Sequence, residues 1–152
     1  MHKQRLLDLA DHLEFGKLGH DKFDFSIWSR RANLENSCGT AGCALGECPF
    51  LFPNDWKFHN GIANTRRPSY KNNPGALSSA VEFFDITFTE ASHLFLPMEQ
   101  QTWLYGKKLL FDASRKEVAD NIRDFVNAKS TPYKALKIFI KTKLNDLIEA
   151  LS

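Results

Sequence analysis

The chain has 152 residues, 43% hydrophobic and 25% charged, with a formal net charge of +2. That length suits one domain with a real core, and so small a net charge gives no whole-chain argument for a polyanionic partner. No apolar run approaches the roughly 18 residues of a membrane span, and thirteen Phe and three Trp argue against a disordered chain.

Leu6, Leu9, Ala10 and Leu13 recur at helical spacing among Lys3, Arg5, Asp8, Asp11 and Glu14, which predicts an amphipathic helix over 3–15. Acids inside this pattern argue against a signal peptide. The three cysteines are then expected as reduced thiols in a cytoplasmic protein. Gly16 and Gly19 break the helix. Phe23, Phe25, Ile27 and Trp28 anchor the connection that follows, where the alternation is too short to predict a strand. His2, His12 and His20 have charged or glycine neighbours and are expected at the surface.

The segment CGTAGCALGEC, residues 38–48, predicts a buried helix closed by Pro49 and Pro53. Residues 54–75 recur in Asn, Gly and Pro, with Asn60-Gly61 as a turn pair, and predict a long irregular loop with room for a small hairpin. ALSSAVEFFD reads as a short helix. Thr87-x-x-Glu90 and Ser114-x-x-Glu117 are capping boxes, each opening a helix whose orphan N–H groups the two side chains satisfy. MEQQTWLYGKKLLF adds a further short helix. Thr131 and Pro132 start a last one, with Leu136, Ile140, Leu144, Leu147 and Leu151 along one face. The expected fold is mainly α: one compact domain over 1–152 of about six or seven helices, 1–129 forming the core and 130–152 a C-terminal amphipathic helix.

Glycine in a helix interior costs about 1 kcal/mol relative to alanine, so Gly42 and Gly46 need a reason. With Gly39 and Cys43 they lie at i, i+3, i+4 and i+7, a stripe of small groups that lets a neighbour approach closely. Cys is then a compact apolar residue of a packing helix. A sharper alternative makes Cys38 a thiolate nucleophile at a helix N-terminus, with His59 or His93 as base. A metal site is disfavoured. Cys38, Cys43 and Cys48 are spaced by five, each step turning about 140° further round a helix, and pairing two of them with His59 and His93 matches no compact zinc signature. No cofactor is expected.

CGTAGCALG, followed by AVEFFDITFTEASHLF and SRKEVADNIRDFV, resembles small bacterial and phage-associated proteins that share a Cys-Gly-Thr-x-x-Cys-Ala-x-Gly core. The likeness spans residues 38–126. It implies a helical domain and carries no activity with it.

Two basic stretches are candidate binding regions. Arg66, Arg67 and Lys71 surround Tyr70 in the long loop, and Lys134, Lys137 and Lys141 edge the apolar face of the last helix. Arg beside an aromatic can contact phosphate or stack on a base, but no helix-turn-helix or zinc-finger pattern supports nucleic acid. The expected function is a non-enzymatic interaction module, binding a protein partner or forming a homodimer through the C-terminal helix, away from any membrane. A thiol-dependent hydrolase or transferase on Cys38 is the alternative.

Overall fold

A computed structural model describes residues 1–30, 41–60, 65–73, 75–97 and 111–131. Cys38, Lys134, Lys137, Lys141, residues 98–110 of the helix expected over 98–111 and residues 132–152 of the expected C-terminal helix lie outside the described residues. In chain order the elements are α1 (Lys3–Phe15), β1 (Lys22–Phe23), β2 (Ser29–Arg30), β3 (Ala41–Gly42), α2 (Ala44–Leu51), β4 (Trp56–Asn60), β5 (Arg66–Tyr70), α3 (Ala76–Phe84), α4 (Phe88–Phe95) and α5 (Arg115–Ser130).

The expectation of a mainly α fold with six or seven helices is therefore corrected. Among the described residues there are five helices and two small sheets, a mixed α/β arrangement. One sheet has the order β1-β3-β2, β3 pairing parallel with β1 and antiparallel with β2. The other is the antiparallel hairpin β4–β5, in register from Trp56↔Tyr70 to Asn60↔Arg66. The long irregular loop is in large part this hairpin.

The helical reading of 38–48 holds for Ala44–Cys48 and fails at residues 41–43 for a physical reason. Ala41 and Gly42 are extended and pair with two strands, and the helix starts only at Ala44, with Cys43 as its extended N-cap. Small residues at helical spacing gave the right impression of crowding and the wrong backbone. Pro49 does not close the helix either. It sits inside α2, which ends at Leu51. The connection after α1, too short for a predicted strand, supplies β1 and β2, each two residues long.

The other helices follow their sequence signals. Leu6, Leu9, Ala10 and Leu13 form the buried face of α1, which packs on α5 through its own buried Val118, Ala119, Ile122, Phe125 and Val126. Both capping boxes form. Thr87 accepts from the Glu90 N–H while the Glu90 carboxylate accepts from the Thr87 N–H at 2.8 Å, and Ser114 and Glu117 repeat the exchange. Across the α1–α5 seam, Arg123 bonds Asp11 at 2.8 Å and also Glu14, and Lys116 reaches Glu14 at 3.1 Å. Such surface pairs contribute little each; the buried face carries the packing.

A second cluster, of aromatic rings, fixes the hairpin. Phe83 of α3 lies 4.9 Å from Phe52, 5.0 Å from Tyr70 and 5.5 Å from Trp56, centroid to centroid, in tilted or edge geometries. Such ring pairs add about 0.5–1.5 kcal/mol beyond area burial. They hold β4 and β5 against α3, so Trp56, Pro68, Ser69 and Tyr70 belong to the core while Lys57, His59, Asn60 and Arg67 are exposed.

Candidate functional site

Glu47 lies on α2 among Ala44, Leu45, Gly46 and Cys48, and its side chain is completely buried. A carboxylate there must be paired and hydrogen-bonded to be tolerated. Four donors converge on it. Oε1 accepts from His20 Nδ1 at 2.7 Å and from the His20 N–H at 3.2 Å. Oε2 accepts from His12 Nε2 at 2.9 Å and from the Gly19 N–H at 2.8 Å. Burial alone would raise the carboxyl pKa, but hydrogen bonds from His12, His20 and Gly19 outweigh it and bring the group down to about 2.

The carboxylate also sets the tautomer of His20. Glu47 can only accept, so Nδ1 carries the proton; in the neutral ring Nε2 is then an acceptor. Ser29 Oγ lies 2.7 Å from Nε2, and in that neutral tautomer the hydroxyl donates to the ring. The result is a continuous relay, Ser29 to His20 to Glu47 to His12, drawn from β2, the α1–β1 connection, α2 and α1. Gly42 makes room for it: a Cβ there would come within 2.5 Å of the His20 ring. On its other sides the imidazole meets Phe50 and Phe58 edge-on, at 5.1 and 6.1 Å.

His12 and His20, expected at the surface, are thus corrected: His20 is 3% exposed and the His12 side chain 13%. Neither they nor Glu47 nor Ser29 stood out as functional residues in the sequence. The signal available was Glu47 itself, the one acid in the apolar run from Ala41 to Pro53. A lone acid in such a run needs a buried partner.

The sequence candidates fall elsewhere. His59 is exposed on β4 and His93 half-buried on α4; neither joins the relay, and Cys38 lies outside the described residues. Cys43 and Cys48 are free and buried. Desolvation raises the Cys43 thiol to about 11, and that of Cys48 well above its ordinary value. Iodoacetamide at pH 8 is therefore expected to leave both unmodified in the folded protein and to label both in urea; fast native labelling of Cys43 would contradict this burial. Among the described residues no group of three or more His, Cys, Asp or Glu side chains is arranged to hold a metal ion, and no helix is long and apolar enough to cross a membrane.

Three of the four basic-loop candidates, Arg66, Arg67 and Tyr70, lie in β5, and Lys71 follows it directly. Tyr70 is 6% exposed and packs on Trp56 and Phe83, so its ring faces the core rather than a base. The Arg66 guanidinium lies 4.2 Å over Phe58, and the Lys71 ammonium 4.8 Å from the Tyr70 ring centre. Arg67 is exposed and faces His59 across the ribbon; Lys57 is exposed on the same outer side. No protein-family model, curated protein or solved structure matches this chain.

Proposed function

We propose that this chain is an interaction module that binds an acidic protein segment through the outer face of the β4–β5 hairpin. One observation carries the reading. Lys57, His59 and Arg67 share the outward side of the ribbon, and no Asp or Glu occurs between Trp56 and Lys71. On α5, by contrast, Lys116, Arg123 and Lys129 each meet a carboxylate of the chain. The ribbon packs on the aromatic cluster through Trp56 and Tyr70, which lowers the ordering cost of binding. Positive charge on such a face steers an acidic partner and fixes its register. Nucleic acid fits less well, because the tyrosine that would stack on a base is packed inward. Two free thiols suit a reducing compartment, and we place the protein in the cytoplasm on that ground.

Immobilised poly-L-glutamate is the test ligand. The wild type is expected to bind it at low ionic strength and to release it as salt shortens the Debye length towards ~8 Å. The double substitution Lys57→Glu, Arg67→Glu should weaken binding about tenfold or more, ~1.4 kcal/mol, with the thermal transition unchanged. Equal retention of wild type and variant would remove the hairpin from the interface, and tighter binding to duplex DNA than to poly-L-glutamate would reassign the partner.

A further inference from the structure

The relay does more than satisfy a buried charge. As a device for holding α2 against α1, Glu47 needs only its four donors. Ser29 contributes none of these; it bonds the far nitrogen of the ring. The order is hydroxyl, imidazole, carboxylate, with both hydrogen bonds at 2.7 Å. That is the arrangement in which a buried acid fixes the tautomer and orientation of a histidine that takes the proton of a serine. Two backbone N–H groups, of Gly19 and of His20 itself, hold the carboxylate so that it cannot turn away from the ring. The absence of a side chain at Gly42 leaves the space that the imidazole occupies.

We propose that Ser29, His20 and Glu47 form an acyl-transfer site that cleaves esters with an apolar acyl group. Ser29 is the nucleophile, His20 the general base and Glu47 the positioning residue. The Ser29 oxygen bonds to the carbonyl carbon as its proton passes to His20 Nε2. The bond from that carbon to the alcohol oxygen breaks, and the leaving alcohol takes the proton from Nε2. Water then attacks the acyl-serine by the same route, releasing the acid and restoring Ser29. No redox partner enters the balance.

Ser29 is fully buried, so substrate reaches it only when a covering group moves. Phe50 is the exposed ring beside the base, and its movement uncovers His20, whose Nε2 holds the Ser29 hydroxyl. It is 42% exposed, lies edge-on to His20, and covers Gly19 so closely that a Cβ there would fall 2.1 Å from its ring. Phe58, 5.4 Å from Phe50, forms the second apolar wall, and it is these walls that select an apolar acyl group. This site does not depend on the hairpin reading.

The test is labelling of the full chain with a short-alkyl fluorophosphonate, followed by peptide mass spectrometry. The wild type should acquire the adduct at Ser29, more slowly at low pH, and Phe50→Ala should label several-fold faster. His20→Gln should label about a hundredfold more slowly or less, the usual scale for losing a general base. Absence of the adduct from Ser29 in both the wild type and Phe50→Ala would overturn the proposal. So would equal labelling of Ser29 in the wild type and a folded His20→Gln.

Discussion

Glu47→Ala is expected to lower the free energy of unfolding by about 3–5 kcal/mol, because buried hydrogen-bond donors lose the acceptor they share. The substitution deletes the one acceptor on which His12, His20 and two backbone N–H groups converge, and leaves all four donors in a buried site. Each unsatisfied donor costs about 1–3 kcal/mol, though water entering the new cavity recovers part of this. Glu47→Gln keeps the shape and one oxygen but places an amide N–H₂ against two further donors, so it should fall between alanine and the wild type. Urea denaturation at pH 7 measures both. A loss under 1 kcal/mol for alanine would mean that the four donors find other partners.

The same residue gives a signed dependence on pH. Its ordinary pKa of 4.5 is lowered to about 2 on folding. A lowered carboxyl pKa stabilises the fold above the unfolded value, and this contribution is lost as pH falls through the folded one. The stability gap between the wild type and Glu47→Gln should therefore be complete above about pH 5 and shrink between pH 4.5 and 2. A gap that stays constant over that window would show that Glu47 is not the titrating group.

How far the sequence discloses this molecule depends on the range of the signals. α1, α3, α4 and α5 are written locally, in apolar periodicity and in two capping boxes, and these need only neighbours within four residues. The three-stranded sheet is written nowhere locally. Its strands are two residues long, too short for alternation to register, and β3 exists because residues 22–23 and 29–30 pair with it from either side. The hairpin was half legible: Asn and Gly marked a turn, but Pro68 and the two arginines of β5 masked the strand. The relay was the least legible part. His12, His20, Ser29 and Glu47 come from four places in the chain, and each alone reads as an ordinary surface or packing residue. What betrayed crowding was the glycines, whose neighbours only the fold reveals.

Gly46→Ala tests that last point, because two opposed effects of known size meet there. An alanine in the interior of a helix is favoured over glycine by about 1 kcal/mol, and Gly46 is the third residue of α2. None of the described glycines has a positive φ, so backbone strain does not argue against the change. Space does. A Cβ at Gly46 would lie 1.9 Å from the carbonyl oxygen of Trp28, a backbone atom that no rotamer change can move. The start of α2 is pinned to the same stretch, since the Cys43 N–H donates to the Ile27 carbonyl at 2.8 Å. Either α2 or the Trp28–Ser29 backbone must shift, and overpacking of this kind costs about 1–3 kcal/mol, occasionally more. The expected outcome is a net loss despite the helix propensity, read as a lower thermal midpoint. A shift of Trp28 also carries Ser29 away from His20 Nε2, so Gly46→Ala should reduce fluorophosphonate labelling as well as stability. Gly42→Ala differs in kind: its Cβ meets the His20 ring, which can swing aside, so it should disturb the relay more than the backbone. A Gly46→Ala protein more stable than the wild type would place Trp28 elsewhere and remove the close approach that accounts for this glycine.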